Sequence, residues 1–405
     1  MKTVKGRILA AVSLHHACND ASVVALPAIF PVLYTEGILI RRYTDIGTIM
    51  LVGLIVAVFT QFLIGHNVKG RHYRCCLALD ALIVGIFLLL MTLSRNYFML
   101  AIFFVGVRIG TSIYHPVGIS WISKTFKGNN LDRSMGFQSA FGDIGVLAAF
   151  TSTGFLAQHI GWKAPLILWG VVNFLVLVAG LLISRGTADQ IIDREEKEPV
   201  SWIETIRGLR PFIPLLVLGG LAWGVTLGYA PSLINHKLGI SMSKTGIILG
   251  CWMGAGAISS MLYGRISEFL GRPRTVFIAY TIIIITAFII GSSDRAFLTI
   301  TAFIIFGMSI FITYPAILSF VGSSIDAKNR TATFSVVSNF QIIGNSVSAF
   351  ISGLLSDAYG INTPFFLLGG ATFVVALYFV LSIRKEYIRK GPVPSSARPE
   401  DIVSG

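Results

Sequence analysis

Apolar runs separated by short polar breaks recur along the whole chain and predict twelve helical spans: 7–34, 44–64, 75–93, 97–122, 134–157, 163–184, 211–235, 243–263, 274–291, 296–320, 331–355 and 363–383. Runs of about twenty residues cross a hydrocarbon layer as helices, whose backbone groups bond internally. The alternating ten-residue segments of a barrel are too few here. The first run has Lys2, Lys5 and Arg7 ahead of an apolar stretch, as a signal peptide would. His15, His16 and Asp20 interrupt it and apolarity resumes beyond them, so it is read as the first span. The pattern predicts an all-α integral membrane protein.

Composition excludes the soluble alternatives. Of 405 residues, 54% are hydrophobic and 13% charged, with a mean hydropathy of +0.77, too apolar for a chain that must present a wet surface all round. A net charge of +13 raises nucleic acid as a partner, but recognition of that kind needs cations clustered on one soluble face. Here they are sorted among short loops. With even spans, 24 lysines and arginines fall on the side of the two termini and 7 on the other, while Arg108 lies inside the membrane. That bias predicts cytoplasmic termini in the inner (plasma) membrane, with the lipid bilayer as partner and no nucleic acid. Cys18, Cys75, Cys76 and Cys251 have no metal-ligand spacing and are read as reduced thiols; no metal or cofactor is expected.

Sliding the second half over the first at an offset of 199 residues brings Gly47 onto Gly246, Gly65 onto Gly264, Pro116 onto Pro315, Phe141 onto Phe340, Gly145 onto Gly344, Gly154 onto Gly353, Gly161 onto Gly360 and Pro165 onto Pro364. Spans six apart match, so the halves share one orientation, as in transporters whose two bundles rock about a central site. The expected domains are a six-helix bundle at 1–184, a cytoplasmic linker at 185–210, a second six-helix bundle at 211–384 and a disordered cytoplasmic tail at 385–405. Within the linker, Trp202, Ile203, Ile206 and Leu209 suit a short interfacial helix.

Two polar stripes interrupt the spans. Arg108, Ser112 and His115 recur at i, i+4 and i+7 in the fourth, on a helix thinned by Gly106 and Gly110 and bent by Pro116. His16 and Asp20 lie one turn apart in the first, with His15 and Asn19 beside them. An ionisable group in hydrocarbon costs roughly 2.5–3.5 kcal/mol on insertion scales, so such residues mark sites unless they are static ion pairs or bond helix carbonyls.

The loop from Gly264 to Arg274, GRISEFLGRPR, resembles the loop signature of the major facilitator superfamily. That resemblance implies two six-helix bundles and a conformational latch of Gly264, Glu268, Gly271, Arg272 and Arg274, the acid and arginines binding across helix ends. The first half carries a degraded copy, Gly65 to Arg74, with Lys69 where the second has Glu268, so the acid's role is not assigned to Lys69. His16-x-x-x-Asp20 with Leu26-Pro27 and Pro31, and Tyr114-His115-Pro116-x-Gly118, are similar to the fosmidomycin-resistance-like branch, which implies efflux of small anionic antibiotics in exchange for protons. Antiporters of the superfamily often carry Gly-Pro in span five, where this chain has Phe141-Gly142-Asp143-Ile144-Gly145.

The fold so implied lines its cavity with spans one, four, seven and ten. Asp20 is then the expected proton site, with His16 and His115 as its modulators or relays, and Asp143 is either a second proton site or a residue bonded to Ser139 and neighbouring helices. Arg108 anchors an anionic group, with Asn19 and Tyr114 alongside. Trp223, Tyr229, Trp252, Tyr314, Asn339, Gln341 and Asn345 are the expected recognition wall of the second half, which has no acid within its spans. The resulting expectation is a non-enzymatic, monomeric, proton-coupled exporter of a small organic compound. Its alternatives are uptake of a small organic acid with a proton, an intramembrane metal protein using His15, His16, Asp20 and His115, and a sensor or scaffold, for which no folded soluble module is evident.

Overall fold

The computed structural model describes residues 3–68, 72–127, 129–187, 202–324 and 330–383, and every regular element among them is helical. Twelve long helices form the body. The first, α1, runs Val4–Glu36 and is interrupted by a tight turn at Pro27–Ile29, where proline lacks the donor a continuous helix needs. Then follow α2 (Tyr43–Asn67), α3 (Tyr73–Met91), α4 (Tyr97–Thr125), α5 (Asn129–His159) and α6 (Lys163–Ile183). After a linker helix at Trp202–Leu209 come α7 (Ile213–Ser232), α8 (Met242–Leu270), α9 (Arg272–Ser292), α10 (Ala296–Ser324), α11 (Arg330–Tyr359) and α12 (Thr363–Tyr378). Most of the expected linker, the tail beyond 383 and Lys69 lie outside the described residues.

Eleven of these helices are long and apolar enough to cross a bilayer. The twelfth, α11, carries many Ser and Asn residues yet runs the same depth: its Gly344 packs on Val217 near one end of α7 and its Gly353 on Tyr43 at the start of α2. Several helices outrun the apolar pattern that predicts them. Thus α8 continues to Leu270 and α5 begins at Asn129. Hydropathy reports only the stretch that prefers lipid, whereas the backbone ladder continues into the interface, where water meets the polar side chains.

Each half is a bundle. In the first, α1 packs on α5 and α6, and α4 on α2 and α3; in the second, α7 packs on α11, and α10 on α8 and α9. The halves meet along α2 with α11 and α5 with α8. On the face where the chain starts, the near face, Arg7 donates to the carbonyls of Ile183 and Arg185, and Arg74 to that of Leu181 at 2.9 Å. Two of the basic residues in the lopsided count thus cap the carbonyl end of α6, where cations suit the helix dipole.

Candidate functional site

The polar stripes of α1 and α4 meet α5 in the middle of the first bundle. His16 Nε2 stands 3.1 Å from Asp20 Oδ2, and His115 Nε2 is 3.7 Å from Oδ1. Asn19 donates to Oδ1 at 2.9 Å. His16 Nδ1 is 2.7 Å from the backbone oxygen of Gln138, whose side-chain oxygen accepts from the Tyr114 hydroxyl at 2.8 Å. The Tyr114 ring stacks on the His16 imidazole with centroids 4.6 Å apart. Gly142 makes room for the pair, since a Cβ there would lie 2.8 Å from both Asp20 Oδ2 and His16 Nε2.

This geometry has a protonic consequence. A carbonyl oxygen only accepts, so Nδ1 of His16 carries a hydrogen; the contact between Nε2 and Oδ2 then needs a second hydrogen held between them. Asp20 and His115, with side chains 24% and 42% exposed, form the wet edge of the cluster. The three ligand atoms of His16, Asp20 and His115 lie within 4.8 Å of one another, close enough for one metal ion. His15, the fourth ligand of the metal alternative, turns away and packs against Gly180 of α6.

Arg108 is buried one turn before Ser112, whose hydroxyl bonds to its carbonyl. It lies within electrostatic range of Asp20 and His115 but forms no ion pair among the described residues, and its Nε has no partner. A static Arg108–Asp20 pair is therefore absent from this conformation. Asp143 lies half-buried within the same electrostatic range. Asp80 of α3 escaped the sequence reading: it is buried, its Oδ1 has no hydrogen-bond partner, and it stands within range of Asp20, Cys18 and Tyr114. A lone acid in an apolar span was its signal.

The second-half residues do not form one wall. Trp252 is fully buried against Trp223, Phe303 and Phe311, and Tyr229 is fully buried with its hydroxyl on the Ala349 carbonyl at 2.5 Å. In this conformation neither presents surface to a cavity. Tyr314 is exposed, and Asn339, Gln341 and Asn345 are half-buried, with the Asn345 side-chain oxygen unpartnered.

Between described residues, the hydrogen bonds that join the two halves all lie on the far face. Asp357 of α11 accepts from the backbone N–H groups of Tyr43 and Thr44 at 2.8 and 2.9 Å. Gln158 of α5 accepts from the N–H of Ser243 at 2.8 Å. His236 reaches the Pro31 carbonyl at 3.1 Å, and the Tyr34 and Tyr43 rings stack beside it. Below these contacts Gly154 meets Gly246, and Gly353 meets the Tyr43–Thr44 backbone. The far face is sealed, so the exposed edge of the cluster opens toward the near face. Of the residues expected to form a latch, Gly271 turns the chain between α8 and α9 with φ +79°, while Glu268 is exposed and has no ion pair among the described residues, and Arg272 and Arg274 have none either.

A family model described as Major Facilitator Superfamily matches residues 12–327 and 213–404. An "MFS-type efflux pump" of Mycolicibacterium smegmatis is 23% identical over 282 residues, 65% of this chain and 64% of that protein, just under two thirds of its length. A "Probable L-galactonate transporter" of Escherichia coli is 21% identical over 370 residues, 84% of this chain and 82% of that protein. Among solved structures, a bacterial homolog of the human lysosomal transporter Spinster, in an inward-facing and unoccupied conformation, superposes with a TM-score of 0.78 at 15% identity, covering 98% of this chain and all of that one.

Proposed function

Since the chain belongs to the Major Facilitator Superfamily and is a secondary transporter, not an enzyme, we propose that it moves a small organic anion together with a proton by alternating access. The observation that carries this is the hydrogen required between His16 Nε2 and Asp20 Oδ2, beside an Arg108 that forms no ion pair among the described residues. With the proton in place Asp20 does not compete for the guanidinium, which is free to clamp a carboxylate or phosphonate. When the proton leaves, Asp20 draws Arg108 and the anion loses its anchor. Proton and anion thus favour each other's binding, which couples their movement in one direction.

The charge bias supports a cytoplasmic near face and cytoplasmic termini, and on that reading the present conformation is open inward. The galactonate in the name of the Escherichia coli relative is an organic anion of the class Arg108 suits. Closure of the near face brings Glu268 to the arginines and helix ends around it, the role its loop has in the superfamily. One twelve-helix chain supplies both bundles, so a monomer suffices. The second reading, export in exchange for protons, follows from the likeness to the fosmidomycin-resistance-like branch and to the mycobacterial efflux pump.

Purified protein in liposomes with a trapped pH dye decides between them as carboxylates, phosphonates and lipophilic cations are added outside. The proposal expects internal acidification with one class of anion, absent in Asp20→Asn. Alkalinisation by the same anion establishes exchange. Anion uptake indifferent to pH in both parent and Asp20→Asn would refute proton coupling.

A further inference from the structure

A cavity of about 500 Å³ opens on the near face below the polar cluster, between the start of α1, the end of α4 and the start of α5. Leu9, which helps line it, lies two helical turns before His16 on the same side of α1, and neither His16 nor Asp20 lines the cavity. Its rim holds Lys5, Lys127 and Arg133. All three are exposed, no acid lines the cavity among the described residues, and none of the three has an ion pair or hydrogen bond there. Three cations gathered with no counter-charge among the described residues repel one another.

The remaining lining adds donors and a greasy floor. Asn130 stands in the first turn of α5, whose unpaired backbone N–H groups and dipole favour an anion at that end. Leu9 and Phe137, the latter 49% exposed, supply apolar surface on the inner side. The junction of a helix end, a short turn and a helix start lies at the level of the lipid headgroups, where basic pockets between spans take phosphate groups.

We propose that this cavity is a binding site for a phosphate-bearing anion, held by Lys5, Lys127 and Arg133 at the amino end of α5. A single carboxylate answers one of the three charges, whereas a phosphate offers several oxygens to the arginine fork and both ammonium groups at once. The anion bridges α1 to the α4–α5 turn. Two sources carry this chemistry, an acidic phospholipid headgroup and a soluble phosphate compound. The site stands apart from the transport reading and does not depend on it.

The test uses the delipidated full-length protein in a neutral detergent, with its melting temperature followed at constant ionic strength. Three probes are titrated: short-chain phosphatidylglycerol, short-chain phosphatidylcholine and inorganic phosphate. The expected result is stabilisation by phosphatidylglycerol at concentrations at least ten-fold lower than by phosphatidylcholine. The variant Lys5→Gln/Lys127→Gln/Arg133→Gln loses it, and Lys5→Arg/Lys127→Arg/Arg133→Lys keeps it. Inorganic phosphate acting as well as phosphatidylglycerol, and lost in the same variant, assigns a soluble anion as the source. Equal stabilisation by the choline and glycerol lipids, no stabilisation by any probe, or stabilisation that survives in the Gln variant overturns the site. Should the Gln variant fold poorly, Lys127→Gln/Arg133→Gln is read in the same way.

Discussion

Asp357 and Thr44, on opposite halves of the molecule, are joined by two hydrogen bonds: the carboxylate accepts from the Thr44 backbone N–H at 2.9 Å and from its hydroxyl at 2.5 Å. Moving 199 positions back, Gln158 accepts from the Ser243 N–H at 2.8 Å. The two closures of the far face are copies of one contact, but one copy carries a charge and three donors and the other a neutral amide and one.

Unequal copies predict unequal effects. Hydrogen bonds to a charged group contribute about 1.5–3 kcal/mol each, so Asp357→Ala is expected to raise opening of the far face by roughly ten-fold or more. Gln158→Ala, losing one neutral bond, should change it by only a few-fold. A cysteine placed at the buried Ser232 near the end of α7 reports the opening by its labelling rate with an impermeant maleimide. Equal rates in the two variants would remove the asymmetry.

Gly142 and Gly145 of α5 differ in what they face. A Cβ on Gly142 meets the movable ends of Asp20 and His16, whereas one on Gly145 overlaps the backbone carbonyl of Ala17. Gly145→Ala is therefore expected to cost stability, on the order of 1–3 kcal/mol from overpacking, seen as a lower melting temperature. Gly142→Ala should fold normally and lose transport, because it separates the pair that holds the proton. A stable, fully active Gly142→Ala would argue that the close His16–Asp20 contact is dispensable.

Arg108→Ala removes a charge-assisted clamp, for which about 1.5–3 kcal/mol, or roughly ten- to hundred-fold in affinity, is expected for the transported anion. Arg108→Lys keeps the charge without the fork and should lose less. Equilibrium binding to purified protein separates this from folding defects when read beside the melting temperature. Equal losses for neutral and anionic compounds would show that Arg108 is structural.

Glu268 has no ion-pair partner among the described residues and is proposed to gain one when the near face closes. Glu268→Gln should leave the melting temperature of the near-open form unchanged while slowing closure. Labelling of a cysteine at Ser139, exposed on α5, then rises several-fold over the parent protein. Unchanged labelling would separate the loop from gating.

The duplication showed in the glycines, prolines and phenylalanine that recur at an offset of 199 residues, whereas the hydrophobic pattern alone carried the helices and their number, because a bilayer imposes one length and one backbone solution on any span. It also exposed His16, Asp20, Arg108 and His115, since each is costly where it stands and therefore visible. Asp80 was equally visible in principle, as a lone acid in span three, and was missed because it belongs to no stripe. What the chain could not declare was which residues meet. Tyr229 and Trp252 read as binding residues from their chemistry, yet packing buries both, because an aromatic ring serves a core and a substrate equally well. The closures at Asp357 and Gln158 were invisible to a repeat judged by identical letters, for the same role is filled by two different side chains. Only the tertiary structure brings His16 Nδ1 to the Gln138 carbonyl, and that contact, 122 residues apart in the chain, fixes where the proton of the cluster must lie.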